Sequence, residues 1–208
     1  MFALSCITIR MYVLTEHKII NTMEKLLIIR FEKAIPEYRK VIFEWLENAH
    51  VKEFWDNTVE HKQDIIIFMH GRKEPSPYSN GIFDYWVGLF ENEPFCLVMT
   101  SSLLPMTNLS PLWLEYSSNT GTTCTIDFMI GNEKYVGKKL GAPTLIAFMQ
   151  YFHKYVKPET DTFIIDPATN NPKAQHVYEK AGFAVITTFT RKNSSFVLMV
   201  KKAPFDMR

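Results

Sequence analysis

The sequence predicts a single domain of mixed α/β class. The apolar pattern switches repeatedly between the strand period and the helix period, and turn residues punctuate each switch. The chain's 208 residues, 47% of them hydrophobic and 22% charged, suffice for one core and exclude a disordered or fibrous protein. The sequence has no internal repeat.

Residues 1–22 show no partner pattern and read as an N-terminal extension dispensable to the fold, which places the domain at 23–208. Leu26–Phe31 (LLIIRF) is a strand. Pro36 stands where helices begin, and EYRKVIFEWLEN after it sets Val41, Ile42, Trp45 and Leu46 on one face. A second helix runs from Val59 to Met69, with Ile65, Ile66 and Phe68 apolar, until Gly71 and the PSPYSNG stretch end it. From Phe83 the strand period takes over. FDYWVGLFE and PFCLVMTSSL form a hairpin about Glu91-Asn92-Glu93-Pro94. A loop from Pro105 to Thr122, rich in Pro, Ser, Asn and Thr, has a length usually reserved for function.

Thr123–Ile130 (TCTIDFMI) is the next strand. Gly137–Val156 is the strongest helix, with Leu140, Leu145, Phe148, Met149 and Phe152 on its buried face and Pro143 tolerated in its first turn. Thr162–Ile165 is a short buried strand, and Lys173–Lys180 is a helix stopped by Gly182. Ala184–Thr190 and Phe196–Lys201 close the chain around Lys192-Asn193-Ser194.

Lys plus Arg is 23 and Asp plus Glu is 22, a net charge of +1 that speaks against a nucleic-acid binder. The balance conceals a segregation. Residues 44–127 hold 12 acidic and 4 basic side chains, whereas residues 128–208 hold 12 basic and 6 acidic ones. Such a division suits two ligands of opposite charge. Cys6, Cys96 and Cys124 have no paired spacing and read as free thiols in a reducing compartment. No apolar run approaches the roughly 18 residues of a membrane span. The N-terminus has neither a basic n-region nor a small-residue cleavage site, so the expected location is the cytoplasm. The six histidines lack HExxH or zinc-finger spacing, so no metal is expected. No serine sits in a nucleophile elbow and no cysteine in an activating context, so no covalent nucleophile is expected.

Two stretches carry chemistry. In the first, the strand ending at Ile130 leads through Gly131, Gly137 and Gly141 into the long helix. The start of that helix presents unpaired N–H groups, and Lys134, Lys138 and Lys139 add full charges, so a phosphate-bearing ligand is the natural guest. The plainer alternative is a glycine-softened turn with solvated lysines. Neither GxxxxGK[ST] nor a complete GxGxxG is present. Just before this loop, Asp127 interrupts an apolar strand; unless it faces outward, such an acid needs a partner or a cation. The second stretch is IDPATNNPKAQHVYEKAGF, residues 165–183.

Together with EWLENAHVKEFW and IDFMIGNEKYVGKKLG, this stretch makes the chain resemble the GNAT superfamily of N-acetyltransferases over residues 25–200. The similarity is greatest to the aminoglycoside 6'-N-acetyltransferases and the related siderophore-lysine acyltransferases. The resemblance implies a central twisted mixed sheet flanked by helices, with acetyl-coenzyme A as acyl donor. Its pyrophosphate would lie on Gly137, Lys138, Lys139, Leu140, Gly141 and Ala142, beside Lys134. Backbone groups near Met129 and Ile130 would hold the acetyl and pantetheine arm. Tyr178 matches the tyrosine that faces the departing thiolate. Asn171 matches an asparagine on the cofactor or substrate side, although a helix cap explains it nearly as well. Asp127 matches the acid that binds and deprotonates the substrate amine, and Asp166 a second substrate-side acid. Phe54 and Trp55 match an aromatic pair. In the loop before the Asp127 strand, Trp113, Glu115 and Tyr116 replace the family's paired tryptophans with acids. The commonest superfamily pattern has glycine where Lys139 stands.

The implied activity is acetyl transfer to a small cationic amine, foremost the 6'-amine of an aminoglycoside. A lysine-type or siderophore amine, a protein N-terminus, and a non-catalytic coenzyme-binding module are the alternatives. The expected partner is a small-molecule amine, with no nucleic acid or membrane, and the expected assembly a monomer or homodimer.

Overall fold

The computed structural model describes residues 29–103 and 111–205. The N-terminal extension, and residues 26–28 of the first predicted strand, lie outside the described residues. Seven strands form one sheet in the order β1-β2-β3-β4-β5-β7-β6. They are β1 Ile29–Lys33, β2 Asp84–Phe90, β3 Glu93–Ser102, β4 Thr122–Ile130, β5 Thr160–Ile165, β6 Ala184–Arg191 and β7 Ser194–Lys202. All neighbours run antiparallel except β4 and β5, which are parallel. The helices are α1 Arg39–Glu47, α2 Ala49–Lys52, α3 Val59–Met69, α4 Pro111–Glu115, α5 Gly141–Tyr151 and α6 Pro172–Lys180.

Both hairpins turn on paired left-handed residues, Glu91 and Asn92 (φ 52° and 67°) and Lys192 and Asn193 (φ 48° and 67°). Two-residue turns of this kind match the right-handed twist of the strands they join. The predicted strands and helices are present, with local corrections. Residues 137–140 are loop, because Gly137 and Lys139 take positive φ (75° and 58°) that no right-handed helix accommodates. The helix that follows ends in a π-helical stretch at Phe152–Val156. The loop predicted at 105–122 contains α4, and α2 adds a short turn after α1.

Side-chain alternation assigns the two faces of the sheet. Trp86, Val98, Cys124, Ile126, Phe163, Ile165 and Met199 pack with Leu145, Phe148, Met149 and Phe152 of the α5 region. The other face carries two separate apolar clusters. Tyr85, Val87, Leu97, Met99 and Met129 pack beneath Ile42, Trp45, Leu46 and Ile65 of α1 and α3. Leu103, Ile164, Leu198 and Val200 pack beneath Leu112, Trp113 and Tyr116. Between the clusters, β3 and β4 present Ser101, Thr125 and Asp127 on that same face, a polar strip across the middle of the sheet.

Two fastenings hold the helices over this face. Asp64 of α3, fully buried, accepts hydrogen bonds from Arg72, Ser76 and the Tyr85 hydroxyl (2.7 Å), which ties down the segment between α3 and β2. At the end of β4, the Asn48 amide donates to the Gly131 carbonyl (2.9 Å), and the His50 imidazole contacts the Ile130 carbonyl (2.9 Å). His50 thus packs the β4 terminus. A Cβ on Gly131 would lie 2.2 Å from the Trp45 ring. Gly131→Ala is therefore expected to push α1 off the sheet and lower stability by about 1–3 kcal/mol, the usual range for overpacking. The shift in urea midpoint checks it.

Candidate active site

The parallel rungs between β4 and β5 run only from Thr122/Thr160 to Thr125/Ile164. Beyond them β4 stays paired to β3 as far as Ile130, and β5 to β7 as far as Ile165. The sheet therefore divides into two halves that part after Thr125. Residues 126–130 of β4, Met129 and Ile130 included, have no strand partner on the β5 side, so this edge is able to pair with an extended amide-bearing ligand.

Asp127, Asp166 and Tyr178 converge at this opening. Asp127 is half-buried, and its carboxyl is pushed up to about 7, first by burial and then by the negative charge of Asp166, with Arg191 opposing. The Tyr178 phenol, buried on α6, is pushed upward by burial and by both carboxylates. Asp166, at the end of β5, is raised by burial even though Arg191 donates to it at 2.9 Å. Asp166 thus acts on Asp127, and both carboxylates act on Tyr178. A carboxyl that titrates near neutrality beside a phenol that stays protonated is an acid–base pair matched to proton transfer at physiological pH.

The anion side lies at the start of α5. Gly141 and Ala142 contribute first-turn N–H groups that have no intrahelical acceptor. Lys138 and Lys139 are exposed beside them. A Cβ on Gly137 would meet nothing within 4 Å, so the loop is open there, whereas a Cβ on Gly141 would lie 2.8 Å from the Val177 side chain, so the glycine lets α5 and α6 approach. Leu140 is buried, and its carbonyl accepts the Thr144 N–H (2.9 Å) and hydroxyl (2.7 Å); only its backbone is left to face a ligand. These donors and charges fit the pyrophosphate of a coenzyme A thioester.

Lys139 occupies the left-handed position (φ 58°) at which the superfamily pattern has glycine. Lys139→Gly is expected to raise stability by about 1 kcal/mol through relief of that conformation. The same change removes one cation from the anion site, so coenzyme A should bind more weakly, by a few-fold, in calorimetry.

Other predicted residues fall as follows. Lys134 is ion-paired with Glu93 at 2.5 Å, so its charge is shared with the β2–β3 hairpin. Asn171 caps α6, its side-chain oxygen accepting the Ala174 N–H (3.1 Å). Phe54 is 42% exposed after α2. Trp55 packs against the α1–α3 cluster, its indole nitrogen buried and without a hydrogen-bond partner among the described residues. Glu115 is exposed at the end of α4 and is not among the charges acting on Asp127.

Three further residues belong here. The Thr125 hydroxyl is buried and has no hydrogen-bond partner among the described residues at the last parallel rung, on the same face as Asp127; the alternation of TCTIDFMI places it there. Tyr78 stacks on His61 (4.8 Å between centroids), and its phenol is raised by burial, Asp56 and Asp127. Arg191 joins the carboxylates from the β6–β7 hairpin. In the sequence Tyr78 lies in a stretch of helix breakers and Arg191 beside a turn, and neither context marks a site.

Residues 39–191 match the family described as "Acetyltransferase (GNAT) domain". The aminoglycoside N(6')-acetyltransferases type 1 of Klebsiella pneumoniae and Serratia marcescens are each 25% identical over 161 residues, covering 77% of this chain and 76% of theirs. Among solved structures, aminoglycoside acetyltransferase AAC(6')-Ib with coenzyme A and kanamycin superposes with a TM-score of 0.67 at 22% identity, covering 85% of this chain and 96% of that one. The aminoglycoside N(6')acetyltransferase of Legionella pneumophila gives 0.65 at 21%, covering 83% and 91%. The parted sheet, the anion site at the head of α5 and the match over 39–191 lead to one conclusion: this chain belongs to the GNAT acetyltransferase family.

Proposed function

We propose that the protein transfers the acetyl group of acetyl-coenzyme A directly to a primary amine of a small cationic acceptor, the 6'-amine of an aminoglycoside. The observation that carries the proposal is the convergence of Asp127, Asp166 and Tyr178 where β4 and β5 part, with Asp127 titrating at about 7. The acetyltransferases similar in sequence are named for the 6'-amine of aminoglycosides, and the excess of acidic residues over 44–127 suits a polycationic guest.

Acetyl-coenzyme A supplies an activated acyl carbon as a thioester. Lys138, Lys139 and the first turn of α5 hold its diphosphate, and the free edge of β4 aligns its arm with the acceptor. The acceptor arrives as an ammonium, which the Asp127 carboxylate attracts and deprotonates. As the C–N bond forms and the C–S bond breaks, the Tyr178 hydroxyl gives its proton to the sulfur, and the second proton that the nitrogen sheds on becoming an amide restores the phenol. A base near neutrality and a phenol held protonated by two neighbouring carboxylates suit these opposite roles.

Thiol release from acetyl-coenzyme A over a panel of amines tests the proposal: kanamycin-type aminoglycosides beside lysine derivatives and short peptides. Turnover confined to aminoglycosides is expected. Activity only on lysine-like or peptide amines would keep the chemistry and overturn the acceptor. Coenzyme binding without thiol release on any amine would overturn the catalytic proposal.

A further inference from the structure

Arg191 ends β6 immediately before the turn at Lys192 and Asn193, and the tip of this hairpin is tied to the chain that follows β5. The Thr169 N–H donates to the Ser195 carbonyl (2.9 Å), the Val197 N–H donates to the Pro167 carbonyl (2.9 Å), and Ala168 bridges Phe196. These bonds fix the hairpin beside Asp166. The Arg191 guanidinium lies 4.5 Å from the Phe196 ring centroid and 6.0 Å from that of Phe189, an aromatic bed that holds its plane. From there it donates to Asp166, whose side chain is only 14% exposed against 53% for Arg191. A largely buried carboxylate in contact with a fixed guanidinium is occupied by an internal cation.

We propose that Arg191 determines acceptor specificity: by occupying Asp166 it leaves Asp127 as the carboxylate open to the acceptor, and so disfavours acceptors that bring a second ammonium beside the reacting amine. An ammonium entering at Asp166 must displace the guanidinium and face its charge, whereas a single ammonium at Asp127 need not. Arg191 also acts electrostatically on Asp127, so its charge reaches the whole acceptor region. This inference rests on the amine-acetyltransferase proposal above, and it names a restriction on the acceptor which that proposal lacks.

The test is calorimetric binding of kanamycin, which carries several ammonium groups, to the wild type, Arg191→Gln, Asp166→Asn and the double variant, with Arg191→Lys as a charge-keeping control. Arg191→Gln is expected to bind kanamycin about tenfold more tightly than wild type, and Asp166→Asn several-fold more weakly. The double variant should return to within about threefold of wild type, because a neutral pair then replaces a neutralised one. Arg191→Lys should stay near wild type. A merely structural arginine would weaken binding in every variant, since its loss loosens the hairpin. Unchanged or weaker binding by Arg191→Gln overturns the inference, as does a gain that persists in full in the double variant. Thiol release on the amine panel is read separately. Tighter kanamycin binding by Arg191→Gln with no thiol release from any amine would sink the catalytic proposal and uphold the specificity role. Turnover on other amines with no kanamycin binding by any variant would do the reverse.

Discussion

Asp127→Asn lowers kcat/KM for the accepted amine by about 10²- to 10⁴-fold, the usual weight of a positioned general base. It also raises stability at pH 8. Both expectations come from one shift. The Asp127 carboxyl titrates at about 7 in the folded protein, against about 3.9 for an aspartate in an unfolded chain. The fold thus favours the protonated acid, and ionising it costs stability as pH rises through that window; the cost is complete above about 7. An amide cannot ionise, so the variant escapes the cost. In the wild type, log kcat/KM should fall with unit slope below about pH 7 as the base is protonated, and the variant should lose that limb. A pH–rate profile together with urea midpoints at pH 5 and 8 checks both. Activity lost together with stability would mean that the substitution damages the fold and not the base.

Tyr178→Phe lowers kcat by at least about 10²-fold while coenzyme A binding stays within a few-fold of wild type. The phenol is buried, and both Asp127 and Asp166 hold its proton in place, so under the proposed mechanism it meets the sulfur as a donor at neutral pH. Removing one oxygen from a buried ring leaves the packing of Tyr178 on Phe183 almost unchanged (6.1 Å between centroids). Single-turnover thiol release separates the two possibilities: a slowed chemical step marks the proton donor, and an unchanged rate marks a core residue.

The sequence made the core legible because the strand and helix periods were clean. TCTIDFMI alternates between two faces, and the long apolar run of α5 is buried at every position from Pro143 to Met149, so both elements stand close to where they were expected. The exposed N–H groups at the start of α5 were legible for a related reason, since glycines and lysines before a helix mark backbone donors that need no distant partner. What escaped depends on contacts remote in sequence. Lys134 is counted with the phosphate lysines by spacing, but a glutamate 41 residues away takes up its charge. Arg191 meets Asp166 across 25 residues, through a hairpin whose tip is sewn to the β5 end by backbone bonds. The parting of β4 and β5 is likewise a property of pairing. Nothing within either strand states that the rungs stop at Thr125 and Ile164.

The central claim is acetyl transfer to the 6'-nitrogen. It is tested most directly with two aminoglycosides that differ only in an amine or a hydroxyl at the 6' position, each incubated with the protein and acetyl-coenzyme A. Thiol release with the amine alone, and a product acetylated at the 6'-nitrogen by NMR, is the expected result. Equal turnover on both, or acetyl found on another nitrogen, would contradict it.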